Sequence, residues 1–389
     1  MTMMKRPLKI SLLPRILIAI VLGIVLGLIL SESWIRLFVT FNALFSQLLG
    51  FLIPLIIMGL ITSAIGEIGS QAGRLLLMTV AIAYLDTVFC GLLSYTTGQL
   101  LFPSMLGETM ASALPETAQA LEPYFKLQIP PMLDIMSALV FSFILGICIA
   151  YGNLPTLRNI AIEFKEVVFK TISHLIIPLL PLYIFGIFLT MTYSGQVWSI
   201  MSIFTRVIVV IIALHVFILL YQFLLAGAVT YRNPFRLLWN MLPAYMTALG
   251  TSSSAAAIPV TLRQTLKNGV SEGIAGFVVP LCATIHMSGS VMKITSCALA
   301  ICLLNGMPSD LGLFVQFILM LCVMMVAAPG VPGGSIMAAL APLASILGFD
   351  SEQQALMIAL YIALDSFGTA CNVTGDGAIA IVVDKFRRK

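Results

Sequence analysis

Four residues near the C-terminal end carry the clearest chemical signal. Asp365, Thr369, Asn372 and Asp376 recur at spacings of four, three and four within LDSFGTACNVTGD (364–376), so a helix puts them on one face. Carboxylates inside an apolar segment are costly to desolvate, and their usual work is to hold a cation, an amino group or a proton. Three more polar islands interrupt apolar sequence. GTSSSAAAIP (250–259) offers hydroxyls on a backbone that a ligand can approach closely; its plainer reading is small-residue helix packing. ATIHMSGS (283–290) points to local unwinding around Gly289, which frees carbonyls for a cation or substrate; a glycine-lined helix contact is the alternative. APGVPGGS (328–335) combines prolines that lack amide donors with glycines that admit left-handed backbone, so it reads as a non-helical tip or lid, or as a surface turn.

These islands stand out against a chain of 389 residues that is 60% apolar and 9% charged, with a mean hydropathy of +1.08. Ordinary soluble domains carry about 25% charged residues. A soluble enzyme, a nucleic-acid binder and a disordered chain are excluded, leaving a polytopic helical membrane protein. The seven cysteines lack metal-type spacing and read as small packing residues. The basic N-terminus, MTMMKRPLKISLLPR, runs into an apolar stretch with no cleavage pattern, so it reads as a retained first helix.

To position the islands, apolar spans run over 11–30, 38–64, 75–102, 132–151, 168–193 and 198–227, with longer interrupted ones near 272–303 and 353–383. Two stretches with a turn in the middle, 236–262 and 311–347, have halves too short to span comfortably and read as re-entrant hairpins. Irregular backbone at membrane depth survives only inside protein or beside a wet cavity, so two such breaks point to an internal site. With a cytoplasmic N-terminus, eight full spans and two returning hairpins, sixteen of the 20 Lys and Arg fall on the cytoplasmic side; the outer loops hold Arg36 and Lys126, and Arg206 and Lys293 lie within spans. The longest loop, 103–131, then lies outside with Glu108, Glu116 and Glu122, and the tail DKFRRK is cytoplasmic, able to meet anionic lipid. Hairpins entering from opposite sides, each followed by an interrupted helix, suggest the inverted repeat of a secondary transporter.

The four islands, in this order, resemble the dicarboxylate/amino acid:cation symporter family, the glutamate transporter homologues, closely over about 235–385 and by hydropathy alone before that. The resemblance implies an all-α polytopic protein of eight transmembrane helices plus two re-entrant helical hairpins, assembled as a homotrimer in the cell (inner) membrane. It implies a scaffold made of 1–73 and 132–196 and an elevator-like transport domain made of 74–131 and 197–389. Residue by residue, it implies that Asp365 holds a substrate amino group and that Thr369 and Asn372 hold the amine and main-chain carboxylate. Ser253 and Ser254 lie at the substrate tip of the first hairpin, and Val331, Pro332 and Gly333 in the lid of the second. Asn372 and Asp376 match sodium-site positions.

Several positions depart from that pattern. The family's Asn-Met-Asp-Gly-Thr is here His286-Met287-Ser288-Gly289-Ser290, so a sodium-site carboxylate is replaced by Ser288. The arginine that binds an acidic side chain is Gly368, and a tyrosine position holds Lys293. Lys293, one turn from Ser290, reads as a substitute for the arginine or as a tethered ammonium replacing sodium near Asp376 or Asp365; a packed or snorkelling lysine is the plainer reading. Losing a carboxylate and gaining an ammonium reduces the number of cations needed for neutrality. His286 is a candidate proton carrier, or a neutral hydrogen-bonding stand-in for asparagine. His174 and His215 read as core or interface residues, and Asp86 and Arg206 as isolated charges able to pair.

The expected function is therefore symport of an amino acid or related carboxylate, with weak or no sodium dependence and a proton as the alternative coupling ion. No cofactor or nucleic acid is expected; the partners are the small-molecule substrate, the coupling cation, the bilayer and like subunits. A sodium-coupled dicarboxylate symporter is the nearest alternative. An intramembrane hydrolase pairing a serine of 252–254 with His286, or a channel, are alternatives of another class; the hydrolase lacks a nucleophile-type turn.

Overall fold

The computed structural model describes residues 12–68, 74–110, 121–152, 154–195, 197–326, 328 and 333–387. Among these residues the secondary structure is helical throughout. In chain order the elements are α1 (Leu12–Gly27), α2 (Glu32–Ile68), α3 (Arg74–Met110), α4 (Ile135–Tyr151), α5 (Pro155–Thr171), a π-helical segment (Ile172–Ile176), α6 (Ile177–Tyr193) and α7 (Val197–Thr230). They continue as α8 (Pro234–Thr251), α9 (Ser254–Lys267), α10 (Glu272–Ile285), α11 (Ser288–Leu304), α12 (Leu311–Val326), α13 (Gly334–Ser345), α14 (Ser351–Ala363) and α15 (Asp365–Arg387).

In the most apolar of these helices apolar side chains on every face leave no solvated side, so helices that satisfy their own backbone are the available structure in lipid. Hydroxyls within them are satisfied the same way: Thr79, Thr87, Ser142 and Thr192 each donate to a carbonyl four residues back. Among the described residues, six helical stretches are long and apolar enough to cross a membrane, namely 32–63, 75–105, 174–193, 204–230, 272–304 and 365–387. Of the eight spans expected, the first and fourth correspond to shorter apolar helices, Pro14–Gly27 and Val140–Tyr151. The fifth starts later than expected, because the charged α5 is amphipathic and joins α6 through the π-helical segment.

The helices pack in two sets. α1 lies along α6, and α2 along α4, α5 and α6. The α1–α6 approach is close because Gly23 and Gly27 have no Cβ: one added at Gly27 would stand 2.6 Å from Thr192 Cβ. In the second set α3 packs on α11, and α15 touches α3, α7, α8, α9, α10 and α11. Burial differs sharply between them. In the most apolar windows of 272–304 and 365–387, 89% of residues are buried inside the fold, against 28% for 75–105. The polar islands at 283–290 and 364–376 therefore sit where protein, rather than lipid, surrounds them. Leu17, Val21, Leu77, Leu85, Val209 and Val216 are exposed on outer helices, the face expected to meet hydrocarbon. All seven cysteines are free and six are buried.

Each stretch expected to form a hairpin holds two helices that pack on each other. α8 packs on α9, broken at Ser252–Ser253, and α12 packs on α13. Residues 327 and 329–332 of the second tip, which include Val331 and Pro332, lie outside the described residues. The break within 272–304 falls at His286–Met287, slightly before Gly289: His286 is extended (φ −99, ψ 101) and Met287 is also non-helical (φ −121, ψ 40).

α14 begins with a reciprocal cap. Asp350 accepts from the amides of Glu352 and Gln353, while the Gln353 side chain accepts from the Asp350 amide. Asp350→Ala removes two of the orphan-donor contacts at this helix start and is expected to cost about 0.5–2 kcal/mol, read as a lowered unfolding temperature of the purified protein with transport retained.

Candidate functional site

The two hairpin tips meet on adjacent residues at the start of α15. α14 ends at Ala363, Leu364 breaks the helix, and α15 starts at Asp365. Ser252, at the first tip in left-handed backbone (φ 49), shares a 2.7 Å hydroxyl hydrogen bond with Ser366. At the second tip the Gly333 amide (φ 76) donates to Asp365 Oδ2 at 2.9 Å. The contact from the first tip thus comes through Ser252. Ser253 serves as N-cap of α9, accepting from the Ala256 amide, and Ser254 is buried at the start of that helix.

Asp365 and Lys293 form an ion pair inside the protein. Lys293 is fully buried; its Nζ lies 3.3 Å from Asp365 Oδ1 and 3.4 Å from the Leu364 carbonyl oxygen, and 3.4 Å from the centre of the Tyr361 ring. The ring face attracts the cation. Its stem runs over Gly368, where an added Cβ would stand 2.8 Å from Nζ and 3.0 Å from Cε. Position 368 and the Lys293 side chain therefore compete for one volume, and glycine cedes it to lysine.

One turn along, Thr369 donates to the Asp365 carbonyl. Asn372 caps the break before α11: its Oδ1 accepts from the amides of Gly289 at 2.8 Å and Ser290 at 3.2 Å, two of the orphan donors of that helix start. Its amide nitrogen donates to Ser290 Oγ at 3.1 Å, and Ser290 Oγ is 3.3 Å from the Tyr361 hydroxyl. The side-chain carbonyl of Asn372 is thus taken up by backbone donors.

The densest cluster lies on the far side of the same break. His286 is fully buried between two carboxylates, with Nδ1 2.9 Å from Asp376 Oδ1 and Nε2 2.9 Å from Asp86 Oδ2. Gln222 of α7 also donates to Asp86 Oδ2, at 2.7 Å, and reaches Ser288 Oγ at 3.4 Å. The Cys90 thiol lies 3.9 Å from the same oxygen. An ionised carboxylate only accepts, so each nitrogen–oxygen bridge must contain a proton. Two bridges require two protons. Whether they are drawn as an imidazolium between two carboxylates or as a neutral imidazole beside one carboxylic acid, the cluster carries a net charge of minus one. Gly375 makes room for it: an added Cβ would stand 2.6 Å from Gln222 Oε1 and 2.7 Å from His286 Cε1.

Asp86 is the member of this cluster that sequence reasoning did not assign. Its expected pairing with Arg206 is incorrect: Arg206 instead donates to the Met105 carbonyl on an exposed surface. Intramembrane burial of Asp86 was the signal, but its partner lies 200 residues away in the chain. His215 is buried and its Nε2 lies 3.1 Å from the Gly289 carbonyl oxygen, whereas His174 bonds the Lys170 carbonyl on the surface. Among the described residues no group of three or more His, Cys, Asp or Glu has metal-binding geometry. Asp376 Oδ1 and Asn372 Oδ1 face protein donors.

Chemically, the site pairs an ammonium–carboxylate couple with a two-proton relay, on either side of one helix break and beneath two hairpin tips. Gly375→Ala tests the relay's packing. The extra methyl would push His286 or Gln222 aside, an overpacking expected to cost about 1–3 kcal/mol, and any activity that needs the bridge should fall more than Asp350→Ala makes it fall; thermal unfolding and uptake measured on the same preparations would check this.

Comparison with known proteins shows where this arrangement belongs. The family described as the sodium:dicarboxylate symporter family matches residues 12–386. Excitatory amino acid transporter 3 of Mus musculus is 29% identical over 264 residues, covering 66% of this chain and 50% of that protein. Excitatory amino acid transporter 1 of Rattus norvegicus is 28% identical over 312 residues, covering 76% and 56%. The chain spans about half the length of the curated relatives it matches.

Proposed function

The chain belongs to the sodium:dicarboxylate symporter family, and from that premise we propose that it is a secondary active transporter of an amino acid or related carboxylate, driven by a proton rather than by sodium. The observation that carries the coupling part is the Asp86–His286–Asp376 relay. A sodium ion needs several oxygen ligands, and here Ser288 stands where the family has a carboxylate while one of the two Asp376 oxygens is bridged to His286. The relay's net charge of minus one favours uptake of one further cation at low dielectric. A proton fits that demand without dismantling the bridges, since it can add to a free carboxylate oxygen.

Substrate would bind between the hairpin tips, beside Ser253, Ser254, Gly333, Asp365, Thr369 and Asn372, with Val331 and Pro332 in the lid. The proposed frame is eight spans with two re-entrant hairpins. Within it, α1, α2, α4, α5 and α6 serve as scaffold, and α3 with α7 to α15 as a moving transport domain. Support comes from the packing, in which those two sets are internally the more continuous. The same reading places the termini in the cytoplasm, the protein in the cell membrane and three copies in the assembly. A hydrolase reading fares worse, because both His286 nitrogens are committed to carboxylates and neither can act as base for a serine.

Uptake into proteoliposomes tests coupling directly. Accumulation of a transported carboxylate should persist when choline replaces sodium and should rise with an inward proton gradient. His286→Asn, which restores the family residue type but removes the bridging protons, should abolish the response to that gradient. Strict dependence on sodium with no response to the proton gradient would favour the sodium-coupled dicarboxylate symporter instead.

A further inference from the structure

Lys293 and Asp365 together determine what charge a ligand of this site can carry. Both Asp365 oxygens already have donors: Oδ1 faces the Lys293 ammonium, and Oδ2 accepts from the Gly333 amide of the second tip. Lys293 has no exit, being fully buried, with its nitrogen on the Tyr361 ring and its stem over Gly368. A ligand bearing its own ammonium would place two cations against one carboxylate at low dielectric, where unpaired charge is most costly. A ligand bearing only carboxylates meets the opposite situation. The ammonium carries three hydrogens and contacts two oxygens, Asp365 Oδ1 and the Leu364 carbonyl, so an incoming carboxylate can accept from the third without leaving Asp365 bare.

We propose that Lys293 is a tethered substitute for a substrate amino group: it fills the amine-binding capacity of Asp365, excludes amino acids, and makes the substrate a carboxylate with no α-amino group. The proposal rests on the transporter reading above and narrows its substrate class. It also gives Gly368 a reason. Any side chain there would displace the ammonium from the volume it shares with Lys293.

The test is ligand-induced thermal stabilisation of the full purified chain, using matched pairs that differ only in the α-amino group: succinate and aspartate, glutarate and glutamate, propionate and alanine. A ligand that binds only the folded state raises the unfolding temperature. The wild type should favour the amine-free member of its best pair by about ten-fold or more in half-saturating concentration, the size of one charge-assisted hydrogen bond. Lys293→Met leaves Asp365 open to a ligand amine and should reverse that preference. Should Lys293→Met fail to fold, the neutral double variant Lys293→Met/Asp365→Asn carries the test, with the two members of the pair expected to bind alike. The inference is overturned, with the transporter reading intact, if the wild type binds the amino acid as well as or better than its partner, or if its preference survives unchanged in the variants. If no member of any pair stabilises the wild type, the carboxylate-transport reading fails and takes the inference with it.

Discussion

At membrane depth there is no water to solvate an ionisable side chain, so each such group must find its partner within the protein. Five of the buried or nearly buried ionisable groups meet that constraint as two closed sets. Lys293 answers Asp365, and His286 answers both Asp86 and Asp376. Much of the local architecture follows from making these pairings possible. The helix break at His286–Met287 turns the imidazole away from a regular helix path. Gly375 leaves the space that the ring fills, Gly368 leaves the space that the lysine stem fills, and Asn372 takes up the amides that the break exposes.

The same pairings connect the site to the parts expected to move. Among the described residues, polar contacts reach the start of α15 from both breaks, Ser252 to Ser366 and Gly333 to Asp365, on neighbouring residues. The second contact ends on the carboxylate that pairs with Lys293, so withdrawal of that tip would alter the ion pair directly. The relay is connected through the helix break, since Asn372 binds one side of it and Asp376, one turn on, binds the other. On this account, ligand charge and coupling charge are read by two faces of one short stretch of α15, which gives a physical route for one to bias the other.

What the sequence made legible was local. Asp365, Thr369, Asn372 and Asp376 share a face because their spacing is helical, and the break at Ser252–Ser253 was visible as glycine and serine in apolar surroundings. Lys293 stood out as a charge within a span, and its neighbourhood with Asp365 was one of two anticipated. Long-range pairing was not legible. Asp86 meets His286 only through the packing of α3 on α10 and α11, and spacing holds no information about it; charge alone suggested Arg206, which the fold sends to the surface. At the first tip, three consecutive serines are equivalent in sequence, and spacing did not show that Ser252, in left-handed backbone, bonds Ser366.

The central claim is that the buried relay takes up a proton as substrate binds, in the role sodium would otherwise fill. Calorimetric titration of the purified protein with its carboxylate ligand, in buffers of different ionisation heat and with or without sodium, measures this most directly. The account predicts a binding heat that varies with buffer, corresponding to net proton uptake, an affinity indifferent to sodium, and loss of the buffer dependence in His286→Asn. A binding heat that is the same in every buffer, together with an affinity that rises with sodium concentration, would contradict it.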